Sequence, residues 1–172
     1  MTERLVPVVD EGRDHVRGAG PQTLVVFGDY ECPYTRAAYR SVQALEAGGV
    51  GFRFAFRHFP LIAIHPHALA AAEASEAAAA QGAFWEMHDL LFRRQGELEG
   101  SDFERYAAEL GLDVDRFRHD LDTRAHLQRV EADRSSALES GATGTPTFFL
   151  DRVRYRGAYD RKELLSALAE GR

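Results

Sequence analysis

A chain of 172 residues, 45% apolar and 28% charged, has the size and make-up of one folded domain with a sizeable core, which excludes a disordered or fibrous protein. Its net charge of -6 argues against a nucleic-acid binder, which needs a basic face to neutralise phosphates. No apolar run is long enough to cross a membrane, and the start Met1-Thr2-Glu3-Arg4-Leu5-Val6-Pro7 lacks the charged and apolar regions of a secretory signal, so the chain reads as cytoplasmic.

In chain order, Leu5 to Val9 is a short strand candidate, confined to a sheet edge by Pro7. Asp10 to Gln22, rich in glycine and charge, reads as a surface connection. Thr23 to Phe27 is a continuous apolar run, the mark of a buried central strand. A helix follows from Pro33, carrying Arg36 to Leu45 and ending near Gly48-Gly49. Gly51 to His58 alternates and is rich in phenylalanine, a third strand that completes a parallel βαβ unit.

From His65 the texture changes. Pro66 to Ala80 has strong helix propensity and stops at Gly82, and Phe84 to Phe92 places Phe84, Trp85 and Met87 at helical spacing as core residues. Ser101-Asp102-Phe103-Glu104 has the form of a capping box, Asp113 caps a short helix carrying Phe117 and Leu121, and a longer helix is predicted from about Thr123 to Ser140 through Leu127, Val130, Ala137 and Leu138. After Gly141 the strand pattern returns. Thr147 to Leu150 and Val153 to Tyr155 form a hairpin about Asp151-Arg152, and a last helix capped at Asp160 carries Leu164, Leu165 and Leu168.

The only cysteine, Cys32, sits where the buried strand hands over to the first helix. There the free N–H groups and the helix dipole favour a thiolate, so Cys32 reads either as an activated nucleophile or as a small buried apolar side chain. With one cysteine, the chain has no internal disulfide, and any disulfide it forms joins it to another molecule.

The order of elements is that of an α/β thioredoxin fold with an all-helical insertion. Cys32-Pro33-Tyr34-Thr35 after an apolar strand, with Gly144-Thr145-Pro146-Thr147-Phe148-Phe149 before the hairpin, resembles the DsbA-like thiol–disulfide oxidoreductases. More closely, Phe27 to Tyr34, Arg57-His58-Phe59-Pro60-Leu61, His65-Pro66-His67-Ala68, Gly82-Ala83-Phe84-Trp85 and Gly157-Ala158-Tyr159-Asp160 resemble the bacterial branch that also occurs behind sodium/proton antiporters. The resemblance implies one domain over 1–172, a thioredoxin core at about 1–64 and 141–172, and a helical insertion at about 65–140. It makes Cys32 the attacking cysteine, Pro33 and Tyr34 the intervening pair, and Pro146 a cis-proline facing the sulfur. Thr145 then offers its backbone N–H and C=O to an extended peptide or to glutathione lying across Cys32.

Two positions depart from the family pattern. Thr35 stands where redox-cycling members carry a second cysteine, and its hydroxyl is expected either to donate to the Cys32 thiolate or to bond to backbone in the first turn. Val26 stands where many thioredoxins hold a buried carboxylate. The expected activity is therefore monothiol disulfide exchange on protein or low-molecular-weight thiols and disulfides, with no bound cofactor and glutathione as a candidate co-substrate. The alternatives are a redox-inactive peptide- or protein-binding module and a glutathione-dependent transferase or isomerase. His58, His65 and His67 lack a recognised metal-ligand spacing and read as polar contacts at a helix start, while Arg36 either attracts an anionic thiol or is simply solvated.

Overall fold

Five strands, β1 (His15–Arg17), β2 (Thr23–Gly28), β3 (Arg53–His58), β4 (Thr147–Leu150) and β5 (Val153–Tyr155), form one sheet in the order β1-β3-β2-β4-β5 in a computed structural model describing residues 3–170. Helix α1 (Pro33–Ala47) joins β2 to its parallel neighbour β3, and the remaining pairings are antiparallel. Between β3 and β4 come α2 (Ala68–Ala79), α3 (Phe84–Arg93), α4 (Gly100–Glu109), α5 (Val114–Asp122) and α6 (Leu127–Glu139); α7 (Arg161–Glu170) follows the hairpin. Met1, Thr2, Gly171 and Arg172 lie outside the described residues. Among those described, no helix is long and apolar enough to cross a membrane.

The alternation of a strand divides the core. Leu24, Val26, Phe54 and Phe56 pack with Val42 and Leu45 of α1 and with Leu164 and Leu168 of α7. Val25, Phe27, Ala55 and Phe149 point the other way, onto Leu5 and Ala137. Helix α2 is buried nearly all round, and its alanines let α3, α5 and α6 close in on it. The caps at Asp113 and Asp160 form as the sequence predicts, with Asp113 accepting from the Arg116 N–H and Asp160 from those of Lys162 and Glu163.

Four expectations give way. The edge strand is His15–Arg17, inside the supposed surface connection, whereas residues 5–9 form no strand and Arg4 makes only an isolated bridge to Val153. Polar anchors, not an apolar pattern, hold β1: His15 reaches Glu76, and Arg17 lies between Glu46 and the Trp85 ring. The α4 cap falls two residues early, where the Glu99 N–H donates to Asp102 at 3.0 Å. Arg124, at φ 53, breaks the chain between α5 and α6, so the long helix starts only at Leu127. Leu138 is 65% exposed, since the buried face of α6 runs through Val130, Asp133, Ser136 and Ala137.

Polar groups tie the N-terminal segment to this frame. Arg57, fully buried on β3, makes a two-point ion pair with Asp14 at 2.7 and 2.9 Å and donates to the carbonyls of Pro7 and Val8 and to Ser136 of α6. Burial pushes the Asp14 carboxyl up, but the hydrogen bonds from Arg57 and the Asp10 N–H, together with the charges of Arg57 and Arg13, outweigh it and hold the group below the usual carboxylate range. Its stabilisation is thus present above the unfolded value of about 3.9 and fades as pH falls through the lower folded value. Asp14→Ala, which strands a buried guanidinium, is expected to cost about 3–5 kcal/mol in urea denaturation and to flatten the loss of stability below about pH 4. An unchanged midpoint sinks that account.

Candidate active site

The site is built on the turn from β2 into α1. Gly28, the last residue of β2, leaves space that the Phe56 ring and the Thr35 methyl occupy; a Cβ there would lie 2.5 and 2.7 Å from them. α1 is thereby drawn tight against the end of the strand. Cys32 is the N-cap of this 15-residue helix, with extended backbone at φ -75 and ψ 119, and Pro33 takes the first helical position. The cap side chain makes no hydrogen bond to the helix, which leaves the first-turn N–H groups without a side-chain acceptor from Cys32.

Two carboxylates hold the preceding loop. Asp29, almost fully buried, accepts from the Glu31 N–H at 2.8 Å, from the Leu61 N–H at 2.8 Å and from His65 at 2.7 Å. Glu31 bonds the backbone N–H and the ring of His67, the N-cap of α2, at 2.7 and 2.9 Å. From the other side, the Gln95 amide donates to the carbonyls of Tyr30 and Cys32 at 2.8 and 2.9 Å. The loop is thus pinned to the β3–α2 connection and to the end of α3. Under it lies Tyr30, whose hydroxyl meets His88 at 2.8 Å. Burial pushes the His88 ring well below the usual histidine range, so it stays neutral inside the core.

Opposite Cys32 stands the 144–147 loop. The Thr145–Pro146 bond is cis, the Thr147 hydroxyl closes the turn onto the Gly144 carbonyl at 2.8 Å, and the Cys32 sulfur lies 3.5 Å from the Thr145 carbonyl oxygen. The structure thus brings Cys32, Thr145 and Pro146 together, with Pro33 and Tyr34 on the rim, where Tyr34 is 64% exposed. Cys32 is buried, 3% exposed, with the Thr145 carbonyl among its neighbours. Thr35 accepts from the Asp29 N–H at 3.4 Å, in the loop before the helix rather than in its first turn, its methyl packs at Gly28, and no hydrogen bond joins it to the sulfur. Val26 is buried in the apolar core.

A thioredoxin family model matches residues 11–170. The chain belongs to the thioredoxin family. It is 48% identical, over 98% of its length, to the Na(+)/H(+) antiporter NhaA 1 of Salinispora arenicola and 47% identical to the NhaA antiporter of Herminiimonas arsenicoxydans. It spans only about a quarter of those relatives, 26% and 27% of their lengths. Among solved structures it is similar to a thioredoxin-like oxidoreductase from Silicibacter pomeroyi, with a TM-score of 0.81, 28% identity and 92% of each chain covered. BdbD from Bacillus subtilis shares the fold, with a TM-score of 0.83 at 19% identity over 98% of this chain and 97% of that one.

Within this thioredoxin-family domain, sequence reasoning gave no role to Asp29, Glu31 or Gln95. A signal was present for the first two. Asp29 and Glu31 are two residues apart, as are His65 and His67, and the structure pairs them in order. Asp29→Ala leaves the Glu31 and Leu61 N–H groups without their acceptor. It is expected to lower stability by at least about 1.5–3 kcal/mol, the worth of one hydrogen bond to a charged group, and to speed hydrogen exchange at those two amides. Parent-like exchange at both would remove Asp29 as the organiser of the loop.

Proposed function

We propose that this domain exchanges disulfides through Cys32 alone, acting on mixed disulfides of proteins or of small thiols. Thiol–disulfide exchange in general is what the oxidoreductase neighbours support. The observation that carries the reading is the placement of one sulfur at the N-cap of α1, 3.5 Å from the carbonyl beside a cis proline. In the resting thiol the S–H donates to the Thr145 carbonyl. Loss of that proton to solvent creates the nucleophile and removes the donor, and the freed carbonyl then accepts an N–H from an extended substrate.

The thiolate attacks one sulfur of the substrate disulfide. A Cys32–sulfur bond forms, the old sulfur–sulfur bond breaks, and its electron pair leaves with the second sulfur as a thiolate. An external thiol, glutathione being a suitable one, then attacks the mixed disulfide and returns Cys32 as thiolate. No second cysteine lies in these 172 residues to do this from within.

The coverage of the sulfur favours one other reading, a binding module that uses the groove without chemistry. Exposed apolar side chains, Tyr34 on the rim and Ile62 and Ile64 in the loop tied to Asp29 through Leu61 and His65, would suit a peptide. The two readings separate cleanly. Incubation with oxidised glutathione is expected to place one glutathione on Cys32, visible by mass spectrometry and removed by excess thiol, and Cys32→Ser to abolish both adduct and turnover while folding as the parent does. Peptide capture that survives Cys32→Ser, with no adduct on the parent, supports the binding module instead. Thr35→Cys supplies an internal resolving thiol, so the adduct should no longer accumulate; persistence at the parent level would show that the two positions cannot meet.

A further inference from the structure

One cavity beside the site has no role in the exchange just described. It measures about 140 Å³ and lies between α1 and α3, lined by Arg36, Tyr39, Arg40 and Gln43 from the first and Asp89, Phe92 and Arg93 from the second. The stacked rings of Tyr39 and Phe92, 4.9 Å apart, bring the two helices together there. Such a volume suits one anionic group and is well below the few hundred Å³ that enclose a whole small ligand.

Its charge is one-sided. Arg36, Arg40 and Arg93 have no hydrogen-bonded or ion-paired side-chain partner among the described residues, although other arginines of the chain are paired in numbers. The one carboxylate in the lining, Asp89, is engaged by Arg17 at 3.2 Å and by the Tyr39 hydroxyl. Three arginines without a side-chain partner therefore line one small cavity in a protein whose net charge is -6.

Its position is tied to the sulfur. Arg36 and Arg40 follow Cys32 by four and eight residues on one face of α1, so their backbones stand about 6 and 12 Å along the axis from it. Gln95, two residues after Arg93, holds the end of α3 to the Cys32 carbonyl. The offset of about 6 Å to Arg36 is within the roughly 7 Å span of an anionic arm of two-residue length carried on a sulfur at Cys32.

Resting on the exchange reading above, we infer that Arg36, Arg40 and Arg93 form a recognition site for the carboxylate arm of a small disulfide that reacts at Cys32. Guanidinium forks suit planar carboxylates, and the local positive field raises the encounter rate of an anion that the chain as a whole repels. The chemistry is the exchange step itself: the Cys32 thiolate bonds to the reagent sulfur nearer the arm, and the other half leaves as a thiolate.

The test uses three disulfides that differ in charge: anionic dithiobis(nitrobenzoate), neutral dithiodipyridine and cationic cystamine. Replacing Arg36, Arg40 and Arg93 by Gln is expected to slow the reaction of Cys32 with the anionic reagent by about 10-fold or more, to leave the neutral one unchanged and to speed the cationic one. Added salt should shrink the gap in the parent. A control with the same net charge, Arg152→Gln with Arg161→Gln and Lys162→Gln, alters groups at the far end. Arg152 lies in the hairpin beyond Leu150, which pairs with Leu24, and Arg161 lies against Gly48 past the C-terminus of α1. It should leave all three rates near the parent values. Equal slowing of all three reagents, no slowing of the anionic one, or the same slowing in the control overturns the inference while the exchange reading stands. A parent that reacts with none of the three removes the exchange reading itself.

Discussion

The buried carboxylate of Asp29 is the constraint on which the site depends. It gathers two backbone N–H groups and one imidazole, and in doing so fixes the loop before Cys32 to the loop after β3. A strand that simply ended at Gly28 would leave Cys32 on a mobile connection. With Asp29 below, Gln95 on one flank and Glu31–His67 on the other, the cysteine becomes a well-placed helix cap, and the helix field acts on a sulfur in a defined position. The geometry around the sulfur thus follows from hydrogen bonds made several residues away from it.

The same device recurs deeper in the domain. Glu76 accepts from both His15 and His58 at 2.8 and 2.7 Å, joining α2 to β1 and β3; burial raises its carboxyl, but the two histidines outweigh that and hold it far below the usual range. Asp133 of α6 receives the His58 N–H and pairs with Arg13 and Arg129. Such buried polar contacts require particular partners, so they define where the helical block sits on the sheet more narrowly than apolar packing would.

This explains what could be read from the chain and what could not. The central strand was legible as an unbroken apolar run, and the helix after Cys32, the third strand, the hairpin and the last helix by where their apolar residues fall between turn and cap signals. β1 was not: His15 and Arg17 earn their places through Glu76, Glu46 and Trp85, which are distant in sequence. The break at Arg124 was equally hidden, since an arginine in left-handed backbone has no compositional mark. At the site, Cys32 and Pro146 could be placed from local sequence and resemblance, while the direction of the Thr35 hydroxyl and the burial of Cys32 depend on packing. The arginine cavity joins residues of two helices some fifty positions apart, and only their folding side by side makes it visible.

The shielded sulfur also bears on chemical durability. On the exchange reading proposed above, a lone cysteine has a hazard that a dithiol escapes: were a peroxide to turn it into a sulfenic acid, no second thiol in these 172 residues could capture it before further oxygen is added and the damage becomes permanent. With the residue 3% exposed and the Thr145 carbonyl 3.5 Å from its sulfur, small oxidants have little access, whereas a partner with an extended backbone that pairs with that same carbonyl is brought alongside the sulfur. Burial of this kind filters which oxidants reach the sulfur.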